Sequence, residues 1–274
     1  MPETQLLIQM AVILAVTGAF AGVLAGLLGV GGGIILVPVF FYVFERLCFG
    51  GDDLMQMCLA TSLATILVTS LRSVGAHNKR AAVQWVVLRT WGPGIVAGAV
   101  AGMLTVSALR TDVLQVIFGL LALSVGLYMA LGRDSWRLGT QMPTGLARAT
   151  LSPLVGFLSV LMGIGGGAFG VSIMSLYGIA IHRAVATAAG FGVLIAVPAV
   201  TGFMLLPVDP AQQPPFSIGA VNLAVFGLII SMTLLTAPLG ARLAHAMDPK
   251  PLKRVFAVFL IVVALNMLRK VWMA

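Results

Sequence analysis

The sequence predicts an all-α polytopic membrane protein with about ten transmembrane or re-entrant helical segments in two inverted repeats of five. Three observations predict it: the composition, the spacing of the apolar runs, and a glycine-rich motif that occurs twice. Of the 274 residues, 60% are hydrophobic and only 9% are charged, whereas about a quarter of the residues in a soluble domain are charged. This composition excludes a soluble globular enzyme and a disordered chain.

Polar or turn-forming stretches separate apolar runs that are long enough to be membrane segments. The eight acidic residues all fall at the edges of these runs or between them, as expected because an ionised carboxylate in hydrocarbon costs several kcal/mol. The first run has no basic residue ahead of it, so we expect it to belong to the mature protein. The runs lie at residues 6–28, 33–48, 54–75, 85–107, 111–131, 147–163, 166–181, 184–206, 217–243 and 251–272.

The basic residues predict how the segments are oriented. Lys and Arg in short loops tend to remain on the cytoplasmic side of a membrane. If the segments alternate, twelve of the 16 basic residues fall on the face opposite the N-terminus, which predicts that both termini are outside. The formal net charge of +8 then indicates orientation and contact with membrane lipids, and no binding of nucleic acid. The four basic residues on the N-terminal face are Arg46, Arg110, Arg269 and Lys270.

A glycine-rich motif occurs twice in the chain. Residues 29–33 read Gly-Val-Gly-Gly-Gly, and residues 163–167 read Gly-Ile-Gly-Gly-Gly, at an offset of 134. Two further matches follow in the same order along both halves, at offsets of 126 and 138 because the loops differ in length. They pair Ala60-Thr61 with Ala186-Thr187, and Gly102 with Gly240. We interpret the ordered matches as an internal duplication.

The duplication predicts two units of the transmembrane domain, a first repeat at residues 1–135 and a second at 136–274. Each repeat contains five segments, an odd number, so the second repeat enters the membrane from the opposite side. Such inverted repeats are the architecture of many secondary transporters.

Each glycine-rich motif is expected to break one helix and to expose backbone N–H groups at the start of the next. Such amides bind anions without a charged side chain. Glycine-interrupted segments at matching positions of two repeats also point to a binding site near the midplane. Close packing of helices is the alternative explanation. The candidate substrate-binding glycines are Gly31, Gly32, Gly33, Gly165, Gly166 and Gly167.

Hydroxyl and basic side chains extend the candidate site. Thr61 and Ser62 lie inside the third segment, and Thr187 lies at the matching place in the eighth. Their hydroxyls would donate to an oxyanion, although such groups in membrane helices also bond to the preceding carbonyl groups. Arg72 and His77, near the cytoplasmic end of the third segment, would attract an anion to the mouth of the site. Alternatively, Arg72 extends to the lipid headgroups.

No pattern indicates an enzyme. An active site within the bilayer would need a nucleophile with a base, or clustered metal ligands, and no acidic residue falls inside an apolar run. We therefore expect no catalytic residue, no metal and no cofactor. Cys48 and Cys58 flank a short acidic loop, where they would form a disulfide in an oxidising compartment or remain two buried thiols.

These motifs resemble the TauE/SafE sulfite exporter family of bacterial membrane permeases. The resemblance rests on residues 29–33 followed by Pro38, on residues 60–63, on His77, and on the second copies at 163–167 and 182–187. It implies a protein of the bacterial cytoplasmic (inner) membrane that exports sulfite, an organosulfonate or a similar small sulfur-containing oxyanion. Alternating access of the two repeats would carry the anion. A passive anion channel, or a transporter of an unrelated small anion, is the alternative.

The two copies are not equivalent. The second copy has Ser172 where the first has Pro38, and Ala188 where the first has Ser62. One repeat is therefore expected to contribute more to the site than the other. The small-residue faces would pack equally well within one chain or between the two chains of a homodimer, so the sequence leaves the oligomeric state open.

Overall fold

A computed structural model of the chain describes residues 4–28, 33–49, 51–131, 137–210, 212–246 and 249–273. The described residues form ten α-helices, a 3-10 turn at Gly51–Asp53 and one small β-hairpin. In chain order the helices are α1 (Thr4–Leu28), α2 (Gly33–Arg46), α3 (Leu54–Asn78), α4 (Trp85–Ala108), α5 (Thr111–Leu131), α6 (Gly145–Leu161), α7 (Gly167–Leu176), α8 (Ile181–Leu205), α9 (Leu223–Ala246) and α10 (Pro249–Met273).

The predicted all-α polytopic fold is confirmed. Six of the described helices are long and apolar enough to cross a membrane: α1, α3, α4, α5, α8 and α9. Three others are shorter: α2 has 14 residues, α6 has 17 and α7 has 10. At a rise of about 1.5 Å per residue, none of these three covers the roughly 30 Å of a hydrocarbon core. The short helices α2, α6 and α7, which flank the glycine-rich motifs, are therefore the parts of the fold that need enclosure by other helices.

Two predicted segments differ from the observed helices. The seventh apolar run continues to residue 181, but α7 ends at Leu176 because Gly178 has a φ of +85°. The ninth run begins at residue 217, but residues 217–222 form an antiparallel hairpin of strands β1 (Ser217–Ile218) and β2 (Val221–Asn222). Gly219, with a φ of +54°, supplies the left-handed conformation that such a tight turn requires.

The acidic residues that the structure describes lie at one end of the helical bundle, which we call the acidic face. Glu45, at the end of α2, pairs with Lys270 near the end of α10. Asp52 pairs with Arg110, just before α5, at 3.3 Å. This face carries the α2–α3, α4–α5 and α8–α9 connections and the end of α10. Its described acidic residues are Glu45, Asp52, Asp53, Asp112 and Asp209.

The opposite end, which we call the basic face, carries the α3–α4, α5–α6 and α7–α8 connections. Leu138, after α5, donates its amide to the Leu176 carbonyl group at the end of α7 at 2.8 Å. Seven basic residues whose side chains the structure describes lie at or near this end, and the part of the chain that the structure describes has no acidic residue there. They are Arg72, Lys79, Arg80, Arg89, Arg137, Arg148 and Arg183.

Glycines join two pairs of parallel helices, α1 with α9 and α4 with α6. Along each pair the contacts advance in the same direction, from Gly18 to Gly22 on α1 and from Gly94 to Gly102 on α4. The contacts in one pair have counterparts in the other pair. A counterpart is found by replacing both residues with those at the offsets of 134 and 138 found in the sequence. A Cβ atom on Gly102 would meet Phe157 and one on Gly240 would meet Val23, while Gly156 faces Ile95 and Gly22 faces Thr233.

The remaining pairs, α3 with α8 and α5 with α10, are formed by helices at matching positions of the two halves. In the antiparallel pair of α5 and α10, Gly119 lies against Ala264 and Gly126 against Ala257. The two contacts also correspond to each other, because at the offset of 138 the counterpart of Gly119 is Ala257 and that of Gly126 is Ala264. Helix α3 is the most enclosed of the six candidate spans, and its residues 54–66 are all buried.

The two cysteines are free thiols. Cys58 is fully buried in α3, as expected for a small apolar side chain, whereas Cys48 is exposed after the end of α2. The prediction of a buried thiol is therefore confirmed for Cys58 and wrong for Cys48. Cys48 is exposed because it adopts a φ of +59° in the turn that leaves α2.

We expect Gly98→Ala to lower the midpoint of thermal unfolding. Its methyl group would overlap the Pro153 carbonyl oxygen of α6, and overpacking of this kind costs about 1–3 kcal/mol. Gly227→Ala is the matched control, because a Cβ atom there meets nothing within 4 Å and alanine favours a helix by about 1 kcal/mol. Thermal unfolding of the detergent-purified variants measures both, and equal midpoints would contradict the packing described here.

Candidate functional site

The start of α2, which is the last residue of the first glycine-rich motif, meets the second glycine-rich turn inside the protein. Gly33 is the first residue of α2 and is buried. A Cβ atom on Gly33 would lie 2.7 Å from the carbonyl oxygen of Gly163, at the start of the second turn. Gly31 and Gly32 lie outside the described residues. The sequence predicted two matching turns, and the described part of the first one contacts the second.

The conformation of the second turn requires glycine at its first position. Gly163 has a φ of +58°, and it donates its amide to the Val160 carbonyl group at 2.9 Å. A Cβ atom on Gly163 would lie 2.7 Å from Val37 of α2 and 2.9 Å from Leu59 of α3. Both the backbone angle and the space around it therefore exclude a larger residue.

The turn that follows exposes amide groups at the start of α7. The helix begins with the hydrogen bond from the Gly170 amide to the Gly166 carbonyl group at 2.8 Å. The amides of Gly167, Ala168 and Phe169 consequently have no acceptor within α7. Residues 163–167 are all buried, and Ala168 and Phe169 are half-buried. An anion at the start of α7 would meet the partial positive charge of these amides.

Gly165 and Gly166 pack tightly against neighbouring helices. A Cβ atom on Gly165 would lie 3.0 Å from Ile66 of α3 and 3.4 Å from Gly192 of α8. On Gly166 it would overlap Phe191, also of α8. Close packing, the alternative left open by the sequence, is therefore a real function of these glycines beside any role in binding.

Ser62 connects the start of α2 to the second turn. Its buried hydroxyl donates to the Gly163 carbonyl group at 2.7 Å and approaches the Gly33 carbonyl group at 3.4 Å. One hydroxyl of α3 thus contacts both glycine-rich motifs. In this conformation its proton is bonded within the protein, so Ser62 fixes the second turn rather than presenting a free donor.

Helix α3 supplies a second hydroxyl beside the turns that the sequence analysis did not select. Ser70 is buried, and a Cβ atom on Gly192 of α8 would overlap its hydroxyl. Its Oγ lies 3.9 Å from the Cβ position of Gly165. Gly192 is therefore small because Ser70 occupies the space between α3 and α8.

The wall that α3 contributes is polar, and the matching wall of α8 is apolar. At the offset of 126, five hydroxyl residues of α3 correspond to residues of α8 without a hydroxyl. The pairs are Ser62 with Ala188, Thr65 with Phe191, Thr69 with Ile195, Ser70 with Ala196 and Ser73 with Ala199. Of these pairs, only the first contributed to the prediction of unequal repeats, together with Pro38 and Ser172.

Thr61 and Thr187 are fully buried but bond to helix ends and not to the glycine turns. The Asn222 amide, before α9, donates to Thr61 Oγ1 at 3.1 Å. The Gln84 amide, before α4, donates to Thr187 Oγ1 at 2.9 Å. Sequence reasoning missed Gln84, although the offset of 138 that pairs Gly102 with Gly240 also pairs Gln84 with Asn222.

Arg72 and His77 lie away from the turns. Arg72 follows Ser70 by only two residues, about 3 Å along α3, but this spacing turns it to nearly the opposite side of the helix; His77 follows Ser70 by seven residues, about 10 Å. Arg72 is exposed and His77 is half-buried. The structure does not bring either one to the glycine turns, and a role at the mouth of the site stays a prediction.

Ser159 of α6 is a buried hydroxyl next to the second turn that the sequence analysis also missed. Its backbone carbonyl group accepts the Ile164 amide at 2.9 Å. Its Oγ is one of three described buried side-chain atoms with no hydrogen-bond partner. The buried polar side chains among the described residues are all neutral, and no group of three possible metal-ligating residues occurs in that part of the chain. The site therefore offers amide and hydroxyl donors.

Comparison with known proteins identifies related transporters. Residues 14–267 match the profile of the family described as "Sulfite exporter TauE/SafE". A probable membrane transporter protein from Haemophilus influenzae is 33% identical over 92% of this chain and 96% of its own. One from Methanocaldococcus jannaschii is 25% identical over 93% of this chain and 94% of its own. A third, from Bacillus subtilis, is 29% identical over 60% and 67%. No solved structure matches.

We expect Gly163→Ala to destabilise the protein more than Gly145→Ala. Both residues have a left-handed conformation, with φ of +58° and +57°, so the backbone strain is the same. Only at Gly163 does a Cβ atom meet neighbours; at Gly145 it meets nothing within 4 Å. The difference should amount to about 1–3 kcal/mol of overpacking, read from thermal unfolding. Equal losses of stability in the two variants would contradict the tight packing around Gly163.

Proposed function

The chain belongs to the sulfite exporter TauE/SafE family of membrane transporters, and from this premise we propose that it exports a small sulfur-containing oxyanion from the cytoplasm. The substrate class is sulfite or an organosulfonate. The observation that carries the proposal is the contact of Gly33, the last residue of the first glycine-rich motif, with the second glycine turn, after which α7 begins with amides that have no acceptor within the helix. Amides at a helix start bind an anion by partial charge alone.

The proposed mechanism is alternating access of two inverted repeats, residues 1–135 and 136–274. The exchange of packing partners supports it, because α1 packs on α9 as α6 packs on α4, while α3 and α5 each pack on their own counterparts. Two-fold related contacts of this kind are what an inverted duplication produces. One repeat moving against the other would open the turns first to one face and then to the other.

The binding residues in this proposal are backbone groups and serines. The turn residues Gly31 to Gly33 and Gly165 to Gly167 supply amides, and Ser62 places both turns. Ser70 adds a hydroxyl on the polar wall of α3, beside Gly192. Arg72 and His77 would act earlier, by attracting the anion to the basic face. Neutral donors suit a carrier, since a cage of full charges would hold a divalent anion too strongly for release.

The orientation follows from the two faces of the bundle. We place the basic face in the cytoplasm of a bacterium and the acidic face outside the inner membrane, in accord with the distribution of Lys and Arg in membrane loops. Both termini would then be outside. An inside-negative potential favours export of an anion by about 2.3 kcal/mol per charge per 100 mV. A uniporter is therefore physically sufficient, and the proposal needs no coupling ion.

Transport assays in proteoliposomes test the substrate class. We expect saturable uptake and counterflow of sulfite or of a small organosulfonate. A carrier has to expose its binding site to each face in turn, whereas a channel conducts without this step. Linear, non-saturable flux would instead indicate a passive anion channel. The absence of binding and flux for both anions, in protein with an intact unfolding transition, would exclude the proposed substrates.

Ser62→Ala should raise the half-saturating concentration of the transported anion about fivefold, the equivalent of one hydrogen bond of about 1 kcal/mol. Its hydroxyl holds the Gly163 carbonyl group and so the position of the second turn. Ser124→Ala is the control, because Ser124 is exposed on α5 and bonds to Leu120 of its own helix. An unchanged half-saturating concentration in Ser62→Ala would remove this residue from the site.

Cys48 provides a test of orientation without any inserted reporter. It is the exposed thiol of the acidic face, while Cys58 is buried. A membrane-impermeant maleimide should label Cys48 in intact spheroplasts, and Cys48→Ser should abolish the labelling. Labelling that appears only after the membrane is permeabilised would place the acidic face in the cytoplasm and reverse the proposed orientation.

A further inference from the structure

Two hydrogen bonds link the repeats at matching positions. The Asn222 amide at the start of α9 donates to Thr61 of α3, and the Gln84 amide at the start of α4 donates to Thr187 of α8. Both threonines are fully buried. Each bond joins a helix of one repeat to the first residues of a helix in the other.

The two bonds are related by the duplication at both ends. Thr61 corresponds to Thr187 at the offset of 126, and Gln84 corresponds to Asn222 at the offset of 138. Exchange of the repeats therefore converts one bond into the other. The glycine contacts of the parallel pairs exchange in the same way, but they are apolar surfaces that can slide, whereas a buried amide needs its acceptor.

The bonds lie towards opposite faces of the bundle. Thr61 is seven residues from the start of α3, which begins at the acidic face, and Thr187 is six residues from the start of α8, which begins at the basic face. These separations correspond to about 10 Å and 9 Å along the helices. Both bonds are formed in this structure.

We propose that Thr61 and Thr187 are positioning residues that close the two faces of the carrier, Thr61 the acidic face and Thr187 the basic face. This proposal rests on the alternating access proposed above. Breaking the Thr61 bond releases the start of α9 and opens the acidic side; breaking the Thr187 bond releases the start of α4 and opens the basic side. In this proposal Thr187 is not a donor to the substrate, since its hydroxyl already donates to the Arg183 carbonyl group at 2.8 Å. Donation to the substrate by Thr61 stays a prediction.

We call the bond between Thr61 and Asn222 the acidic-face joint and the bond between Thr187 and Gln84 the basic-face joint. Other hydrogen bonds do not support the two joints equally. Asn222 also caps α9, because its Oδ1 accepts the Val225 amide at 2.8 Å, and its Nδ2 donates to Ser217 and Pro215 at 3.0 Å. Gln84 makes no side-chain cap bond to α4. The basic-face joint therefore depends on Thr187 to a greater extent, and its loss should have the larger effect.

The chain offers matched reporters for the two faces. Cys58 is one turn before Thr61 on the same side of α3, between the joint and the acidic face. At the offset of 126 its counterpart is Ala184, one turn before Thr187 on α8. Both residues are fully buried, so a thiol at either place reacts with a maleimide only when that side opens.

The experiment measures alkylation rates in purified full-length protein without substrate. With Cys48→Ser, Thr61→Val should raise the rate of Cys58 about fivefold, the equivalent of one hydrogen bond. With Cys48→Ser, Cys58→Ala and Ala184→Cys, Thr187→Val should raise the rate of the introduced thiol by at least as much. Each valine should leave the reporter of the other face unchanged. Thr61→Ser and Thr187→Ser keep the hydroxyl and should match the parent proteins.

Several outcomes would overturn the proposal: both reporters accelerated by either valine, neither accelerated by its own, or serine variants as reactive as the valine variants. Gln84→Pro guards against a valine variant that fails to fold. It removes the donor of the same bond at a φ of −85°, close to that of proline, and should reproduce Thr187→Val. The alkylation experiment uses no substrate, so its result does not depend on whether the protein transports sulfite or sulfonates.

Discussion

The need to satisfy every backbone polar group inside a membrane governs this structure. A helix meets that need by itself, but a turn at membrane depth does not, and it is tolerated only where protein surrounds it. The second glycine turn is such a turn, with residues 163–167 all buried. Its carbonyl group at Gly163 accepts a hydrogen bond from Ser62, and the amides that begin α7 have no acceptor within that helix. The other helices can be understood as the walls that make this exception possible.

Those walls depend on close approach. The pairs α1 with α9 and α4 with α6 meet through glycines whose Cβ positions would strike backbone atoms of the partner. In lipid the hydrophobic effect does not drive helices together, so dispersion between small residues has to hold them. The same glycines leave the pairs without side chains that interlock deeply. Tight contact and the capacity to shift are thus provided by one type of residue.

The interior is uncharged. Every buried polar side chain among the described residues is a hydroxyl or an amide, and the described carboxylates stay at the acidic face. Charges inside a bilayer are costly unless they are paired. Partial charges on amides avoid most of that cost while still favouring an anion. The separation of ion pairs at one face from unpaired amides within is the electrostatic basis of the proposed site.

Much of the fold could be predicted from the sequence, because apolar runs, turn residues and the charge of loops report directly on membrane segments. The hairpin at residues 217–222 could not, since its residues are as apolar as the helix that follows and only Gly219 marks the turn. The glycine turns were predictable as breaks in helices. The roles of Thr61 and Thr187 were not, because a buried hydroxyl in a sequence gives no sign of which backbone amide it will meet. Ser70 gave no signal either, since its importance depends on the space left by Gly192 on another helix.

The polar wall of α3 and the apolar wall of α8 have a consequence for direction. A carrier with identical halves would have two resting states of equal free energy, related by a two-fold axis, and it would bind its substrate equally well from either side. Here Ser62, Thr65, Thr69 and Ser70 have no hydroxyl counterparts on α8. In the carrier proposed above, the two states would therefore bind an anion with different affinities, and the half-saturating concentrations measured from the two faces would differ. Net transport would still be zero without a driving force, so the asymmetry would determine how the flux responds to gradients of opposite sign.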